Sequence, residues 1–368
     1  MKIMKSAALT VVLLLALLVV FVEHMSTSLL SGKVARELDS IRQKGEISSI
    51  EQTIPPQIPP EENGAPYYVA AMDLINYATG PNKTEDLRDY FSHNRAELRE
   101  QLKKNHKVFK LLKEAYNQPW CRFNLQYEEG VEMRPLNFKA ARRIAQITAV
   151  KAYEDLENGK PQDAADDCMY GLRFLRELGQ RGTPSGGALI NLMINVACQK
   201  WILNPLQYMV EKGVKADYSR VLAELNLLQE EKENSFHRAL EVERMLGTDY
   251  LEKLKARKGD FPPAFFAGLA GGYPKYYRIF LVAKYQIARK SSILADELFY
   301  LQFMRSALTA IESGKLPLME NPPRGTDKYL ISSALIPNFI RAYKQNSQAV
   351  KDLENVKSEL LGRGKGKP

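Results

Sequence analysis

Glu243 is the residue whose position most invites chemistry. At 100° per residue, Phe236, Leu240, Gly247, Tyr250 and Leu254 fall within about 60° of one another, and Glu243 lies at the centre of that apolar stripe. A carboxylate on a buried face has to be neutralised, paired or used. A later helical stretch carries matching cations. Lys284 and Arg305 fall on the stripe formed by Phe280, Ile287, Leu294 and Leu298. Two arrangements follow. In one, Glu243 forms a buried structural pair with Lys284 or Arg305. In the other, Glu243 lines a ligand pocket or an active site, with Tyr250 and Tyr277 on its walls.

Other chemistries find less support. Glu233, His237, Glu241 and Arg244 follow one another at helical spacing beside the stripe. A histidine and a carboxylate four residues apart can share a metal, but a site needs a further ligand, and His24, His93 and His106 sit in unrelated contexts. An exposed charged face explains the row more simply, so no metal and no cofactor are expected. There is no HExxH motif. Gly182-Thr183-Pro184-Ser185-Gly186-Gly187 lacks the G-x-S-x-G spacing and follows no strand, and reads as a hairpin loop. No catalytic residue is assigned, and the chain reads as a non-enzyme.

The three cysteines, Cys121, Cys168 and Cys198, are too few and odd in number for a disulfide framework. Cys168 and Cys198 lie equally far on either side of Thr183, so in an antiparallel hairpin they sit level. A disulfide between them in an oxidising compartment and two reduced thiols in an apolar seam both remain open.

The elements that would carry these residues begin with a targeting segment. Lys2 and Lys5 precede Ala7–Val22, a run of 16 residues that is apolar apart from Thr10. That length lies between a signal-peptide core and the roughly 20 residues of a spanning helix. No small-x-small cleavage pattern follows closely, which favours an uncleaved signal anchor over residues 1–25. The flanking lysines place the N-terminus in the cytoplasm and the bulk of the chain outside it, in the periplasm or at the cell surface. A basic balance of +9 is spread through the helices rather than gathered in one run. It suits a solvated surface, an anionic lipid or an envelope polymer. No nucleic-acid motif is present.

Residues 26–60 read as a juxtamembrane helix followed by a spacer. The spacer is Ile54-Pro55-Pro56-Gln57-Ile58-Pro59-Pro60, whose two Pro-Pro pairs forbid helix and favour an extended strut. Residues 61–361 read as one all-α domain, and residues 362–368 as a basic tail. Predicted helices cover about 61–78, 84–117 with a break at Ser92-His93-Asn94, 137–157, 162–179, 187–210, 216–258, 276–313 and 326–361. Gln118 to Pro135 is irregular. Phe261 to Tyr277, rich in aromatic, Pro and small residues, reads as a core connection or a lipid- or partner-facing loop. Long helices with short Gly- and Pro-marked loops imply stacked antiparallel hairpins.

One of these hairpins has a family look. Gly159-Lys160-Pro161-Gln162-Asp163-Ala164, with Cys168, Gly171 and Leu172, resembles the second half of a tetratricopeptide repeat, in which small residues let two helices pack closely. The resemblance covers about Asn137–Gly179, and no second copy follows at the 34-residue period. The wider layout resembles a loose group of uncharacterised bacterial membrane-anchored helical proteins. It does so through the anchor, Pro59-Pro60-Glu61-Glu62-Asn63, the Gly159 hairpin, Glu243-Arg244 and Ala334-Leu335-Ile336-Pro337-Asn338. This implies architecture and carries no function. The resulting expectation is a membrane-tethered module that binds an unknown protein or envelope polymer, with a small-ligand binder or enzyme around Glu243 as the alternative.

Overall fold

A computed structural model describes residues 2–76, 87–134, 136–179, 189–257, 275–315, 328–336 and 339–364. Every regular element among them is helical, and the protein is all-α. The α-helices are α1 (Lys2–Gln43), α2 (Ala65–Leu74), α3 (Leu87–Lys104), α4 (His106–Tyr116), α5 (Phe138–Glu157), α6 (Pro161–Leu178), α7 (Leu189–Glu211), α8 (Ser219–Ala256), α9 (Lys275–Ile287), α10 (Arg289–Glu312), α11 (Leu330–Leu335) and α12 (Phe339–Gly364). The described chain divides into two compact units. The first holds Met1–Ile50 and Glu243–Ile340; the second holds Glu51–Val242 and Arg341–Pro368.

In the first unit, α1 runs unbroken for 42 residues, without the expected separation between anchor and juxtamembrane helix. From Leu17 to Gln43 it is long and apolar enough to cross a membrane or to serve as a signal sequence. Its exposed apolar side chains include Leu13, Leu14 and every residue from Leu17 to Val22. Beyond Met25 the pattern changes. Leu30, Val34, Leu38 and Ile41 repeat at helical spacing and pack against Leu294, Leu298 and Leu301 of α10. Two polar contacts fix the direction of this seam. Glu23 accepts hydrogen bonds from Ser291, and Glu37 pairs with Arg305 at 2.6 Å, both across a separation of 268 residues. A constant offset requires α1 and α10 to run parallel. This seam is therefore not a hairpin.

The helix predicted over 276–313 is broken in two. Ala288 has non-helical backbone angles (φ −114°, ψ 54°). Were the helix straight, residues 285 and 296 would be about 16 Å apart. The Tyr285 hydroxyl instead donates to the Asp296 carboxylate, so α9 bends back towards α10. Phe280 and Ile287, expected to share a core stripe with Leu294, are 62% and 70% exposed. The helix predicted over 326–361 is likewise interrupted: α11 ends before Pro337, whose missing N–H and fixed ring oppose helix there.

The second unit is built on α5, α6 and α7, each packed on the other two. Asn137 caps α5 by accepting from the Ala140 N–H. Gly159, at φ +70°, makes the turn into α6, a backbone region that favours glycine. Lys151 bonds to Asp167 at 2.8 Å, level with it across that turn, so α5 and α6 form a hairpin. Ala164 and Cys168 of α6 are buried, as are Ala141, Ala145, Ala149 and Ala152 of α5. A Cβ on Gly171 would lie 2.6 Å from the Ile202 side chain of α7.

The proline-rich segment is not a free strut. Pro55 is buried, and its carbonyl accepts from Arg122 Nε at 3.1 Å. Asn63, expected to help start α2, does so: its Oδ1 accepts from the N–H groups of Ala65 and Arg122. Asn94 marks the expected break inside α3.

Candidate functional site

The candidate pocket residues Glu243, Tyr250, Tyr277, Lys284 and Arg305 belong to the first unit, on α8, α9 and α10, whereas Cys168 and Cys198 belong to the second. Glu243 is half-buried, on a face where Leu240 and Leu254 are buried. Its backbone carbonyl accepts a 2.6 Å hydrogen bond from the Tyr300 hydroxyl. The Tyr300 ring occupies the space over the next turn, where a Cβ on Gly247 would clash with it. Glycine is thus required there, and the tyrosine fills the ground a ligand would need. The two candidate partners of Glu243 are engaged elsewhere. Arg305 pairs with Glu37 on α1. Lys284 donates to the Lys328 carbonyl at 3.2 Å, with its ammonium 5.2 Å from the centre of the Tyr285 ring. Tyr250 is half-buried. The side chain of Tyr277, and the stretch 258–274 that holds most of the aromatic loop, lie outside the described residues.

The row beside Glu243 is not the exposed face the spacing suggested. Arg244 is 1% exposed and Glu241 is 8% exposed. Arg244 forms an ion pair with Glu46 and donates to the Ile47 carbonyl at 3.1 Å. The chain following α1 thus supplies the partners that make burial of this guanidinium tolerable. Among the described residues, no three His, Cys, Asp or Glu side chains gather as a metal site would require.

Sequence reasoning missed two adjacent buried carboxylates on α10. Asp296 and Glu297 are fully buried. Asp296 accepts from the Tyr285 hydroxyl and, through Oδ1, from the Ser332 N–H at 2.8 Å; its own carbonyl accepts from the Ser332 hydroxyl. Ser332 lies in the first turn of α11, where N–H groups have no partner within the helix and a carboxylate is favoured. Glu297 pairs with Lys255 of α8 at 2.6 Å. Burial pushes both carboxyls up to about 7, against the pull of Ser332 on Asp296 and of Lys255 on Glu297. A carboxyl near 7 suits general acid–base work. Neither has exposed surface; both oxygens of Asp296 and the Oε2 of Glu297 are held by neighbouring helices, while Glu297 Oε1 has no hydrogen-bond partner among the described residues, so the pair acts as latches between α8, α9, α10 and α11. The available signal was two acids inside Ile293–Tyr300, a stretch otherwise almost wholly apolar.

The second unit also has a buried ionic group. Arg173 meets Glu177 at 2.7 Å, and Arg176, fully buried, meets Glu224 at 3.3 Å. Burial and the charge of Glu177 hold the Tyr68 phenol well above its usual range. Lys232 of α8 is 2% exposed, and its ammonium has no hydrogen-bond partner among the described residues. Burial pushes it down to about 7. The disulfide considered for Cys168 and Cys198 is not formed. All three cysteines are free and buried, and burial raises their thiols, Cys198 to about 12. Such thiols are poor nucleophiles.

The ion pairs Arg305–Glu37, Lys255–Glu297 and Arg176–Glu224 join helix to helix within each unit, and Lys284 and Arg305 are bonded away from Glu243. No family model, no curated protein and no solved structure matches this chain.

Proposed function

We propose that the protein is a membrane-tethered helical scaffold, held by α1 with its N-terminus in the cytoplasm and its bulk outside it, whose second unit engages a partner. The observation that carries this reading is the seam between α1 and α10. The targeting helix continues past its apolar run and is bonded along its length to the first unit, through Glu23–Ser291, the Leu30–Ile41 stripe and Glu37–Arg305. A leader destined for removal has no need of such bonds.

The second unit supplies the binding surface in this reading. Its α5–α6 turn and close α6–α7 contact support a stack of helical hairpins, part of it tetratricopeptide-like. Along α4, Lys107, Lys110 and Lys113 are exposed, next to Lys103 and Lys104 at the end of α3. Of these, Lys103 is joined to Glu100. The cluster favours an acidic protein segment or an anionic envelope polymer over a neutral partner.

In-cell crosslinking of the full-length tagged protein, followed by purification from membranes and mass spectrometry, tests this. A reproducible partner, retained by wild type and lost when Lys104, Lys107 and Lys110 are changed to glutamate, is the expected result. Recovery of the protein alone, or of a partner indifferent to those changes, contradicts it.

A further inference from the structure

The exposed face of α9 is wholly apolar. Tyr276, Ile279, Phe280 and Ile287 are 77%, 61%, 62% and 70% exposed, and Ala283 is exposed between them. At 100° per residue these five side chains fall within about 100° of one another, and buried Tyr285 points the opposite way, into Asp296. A helix lying on a folded unit normally turns polar residues outwards. Here the packed side uses a tyrosine–carboxylate bond, and among the described side chains the arc from Ile279 to Phe280 carries no charge, with Lys284 at its edge.

The position of α9 identifies what covers that face. The offset of 268 residues that relates α10 to α1 brings Arg289, the first residue of α10, level with Phe21. Phe21 lies in the last turn of the exposed apolar run of α1. Hence α9, which ends two residues before Arg289, meets α10 at the depth where the lipid-facing surface of α1 gives way to polar sequence. There Glu23 receives the Ser291 N–H and hydroxyl. The bend at Ala288 then turns α9 back rather than on alongside α1. With 13 residues α9 is about 20 Å long, too short for a hydrocarbon core of about 30 Å. Lys284 lies at the edge of the apolar face and suits the headgroup level.

We infer that α9 is an interfacial helix: it lies in the plane of the bilayer surface beside α1, with Tyr276, Ile279, Phe280 and Ile287 in the headgroup–acyl boundary and Tyr285 holding it to α10. The inference rests on the reading of α1 as a retained membrane anchor. It gives the first unit two lipid contacts at right angles in purpose, one fixing depth and one fixing tilt.

Site-directed spin labelling of the full-length protein in vesicles of phosphatidylcholine and phosphatidylglycerol (3:1) tests it. Single cysteines are placed at Leu18, Lys253, Ile279, Phe280 and Ile287; the three native thiols are buried and label poorly, as wild type verifies. Collision of each label with oxygen and with a water-soluble nickel chelate is measured. At Ile279, Phe280 and Ile287, oxygen is expected to exceed the chelate several-fold, as at Leu18, with the reverse at Lys253. If Leu18 is lipid-exposed and the α9 labels collide mainly with the chelate, the α9 inference is overturned and the anchor stands. A water-exposed Leu18 overturns the anchor reading itself. Labels on α9 reached by neither reagent would mean protein covers the face, which also overturns the inference.

Discussion

At the scale of single residues, burial separates ion pairs that matter from those that do not. Arg244 and Arg305 both pair with glutamates of the N-terminal segment. Arg244 is 1% exposed, whereas 45% of the Arg305 side chain is exposed. Removing one partner of a buried pair leaves the other desolvated and uncompensated, at a cost of about 3–5 kcal/mol. An exposed pair contributes roughly 0–1 kcal/mol. Thermal unfolding of the full-length protein in detergent is therefore expected to show a large loss for Arg244→Ala and a small one for Arg305→Ala. Equal losses would refute the ranking. Lys232 should behave in the opposite sense. Its folded-state value near 7 lies below the ordinary lysine value of about 10.4. Its contribution to stability is present above that ordinary value and is lost as pH falls through about 7. Lys232→Met removes the cost of burying a charge, so the variant should be more stable than wild type at pH 6, by about 1–4 kcal/mol. The gain should shrink towards pH 10. Melting curves across that range decide it.

At the scale of elements, the Asp296 latch determines whether α9 and α11 stay on α10. Its carboxyl, near 7 in the folded state and about 3.9 when unfolded, is raised. Its contribution is fully present below about pH 4 and is lost as pH rises through about 7. Asp296→Asn keeps an acceptor for the Ser332 N–H and cannot ionise, so its stability relative to wild type should improve from pH 5 to pH 8. Asp296→Ala should be destabilised at both, with α9 and α11 losing amide protection before the rest of the first unit. Hydrogen exchange followed by peptide mass spectrometry reads both effects.

Most helices were legible because their apolar residues recur at helical period and because Asn137 marks where α5 begins and Gly159 and Pro161 where it gives way to α6. The break at Ala288 was not legible. Nothing in Gln286–Lys290 is a helix breaker, and the bend is set by Tyr285 reaching Asp296, a contact visible only in three dimensions. That missed bend led to Phe280 and Ile287 being counted as core, and it linked Lys284 and Arg305 to Glu243 through a stripe that does not exist. The helix phase around Glu243 was legible, with Leu240 and Leu254 buried on it. Its neighbour Arg244 was misjudged because Glu46, the residue that allows it to be buried, lies 198 residues away in the chain.

At the scale of the whole molecule, the buried ionic groups described above, Lys232 excepted, hold elements to one another within each unit, and the surfaces on which interaction is proposed are the apolar outside of α1, the exposed face of α9 and the lysine cluster at the end of α3 and along α4. The account stands or falls on retention and sidedness. The most direct test is protease digestion of spheroplasts from outside, followed by mass spectrometry of what stays in the membrane after alkaline washing. A retained chain starting at Met1, with the second unit cut without lysis, is the predicted result. A shortened chain released by the wash, or a second unit protected until the cells are broken, would contradict it.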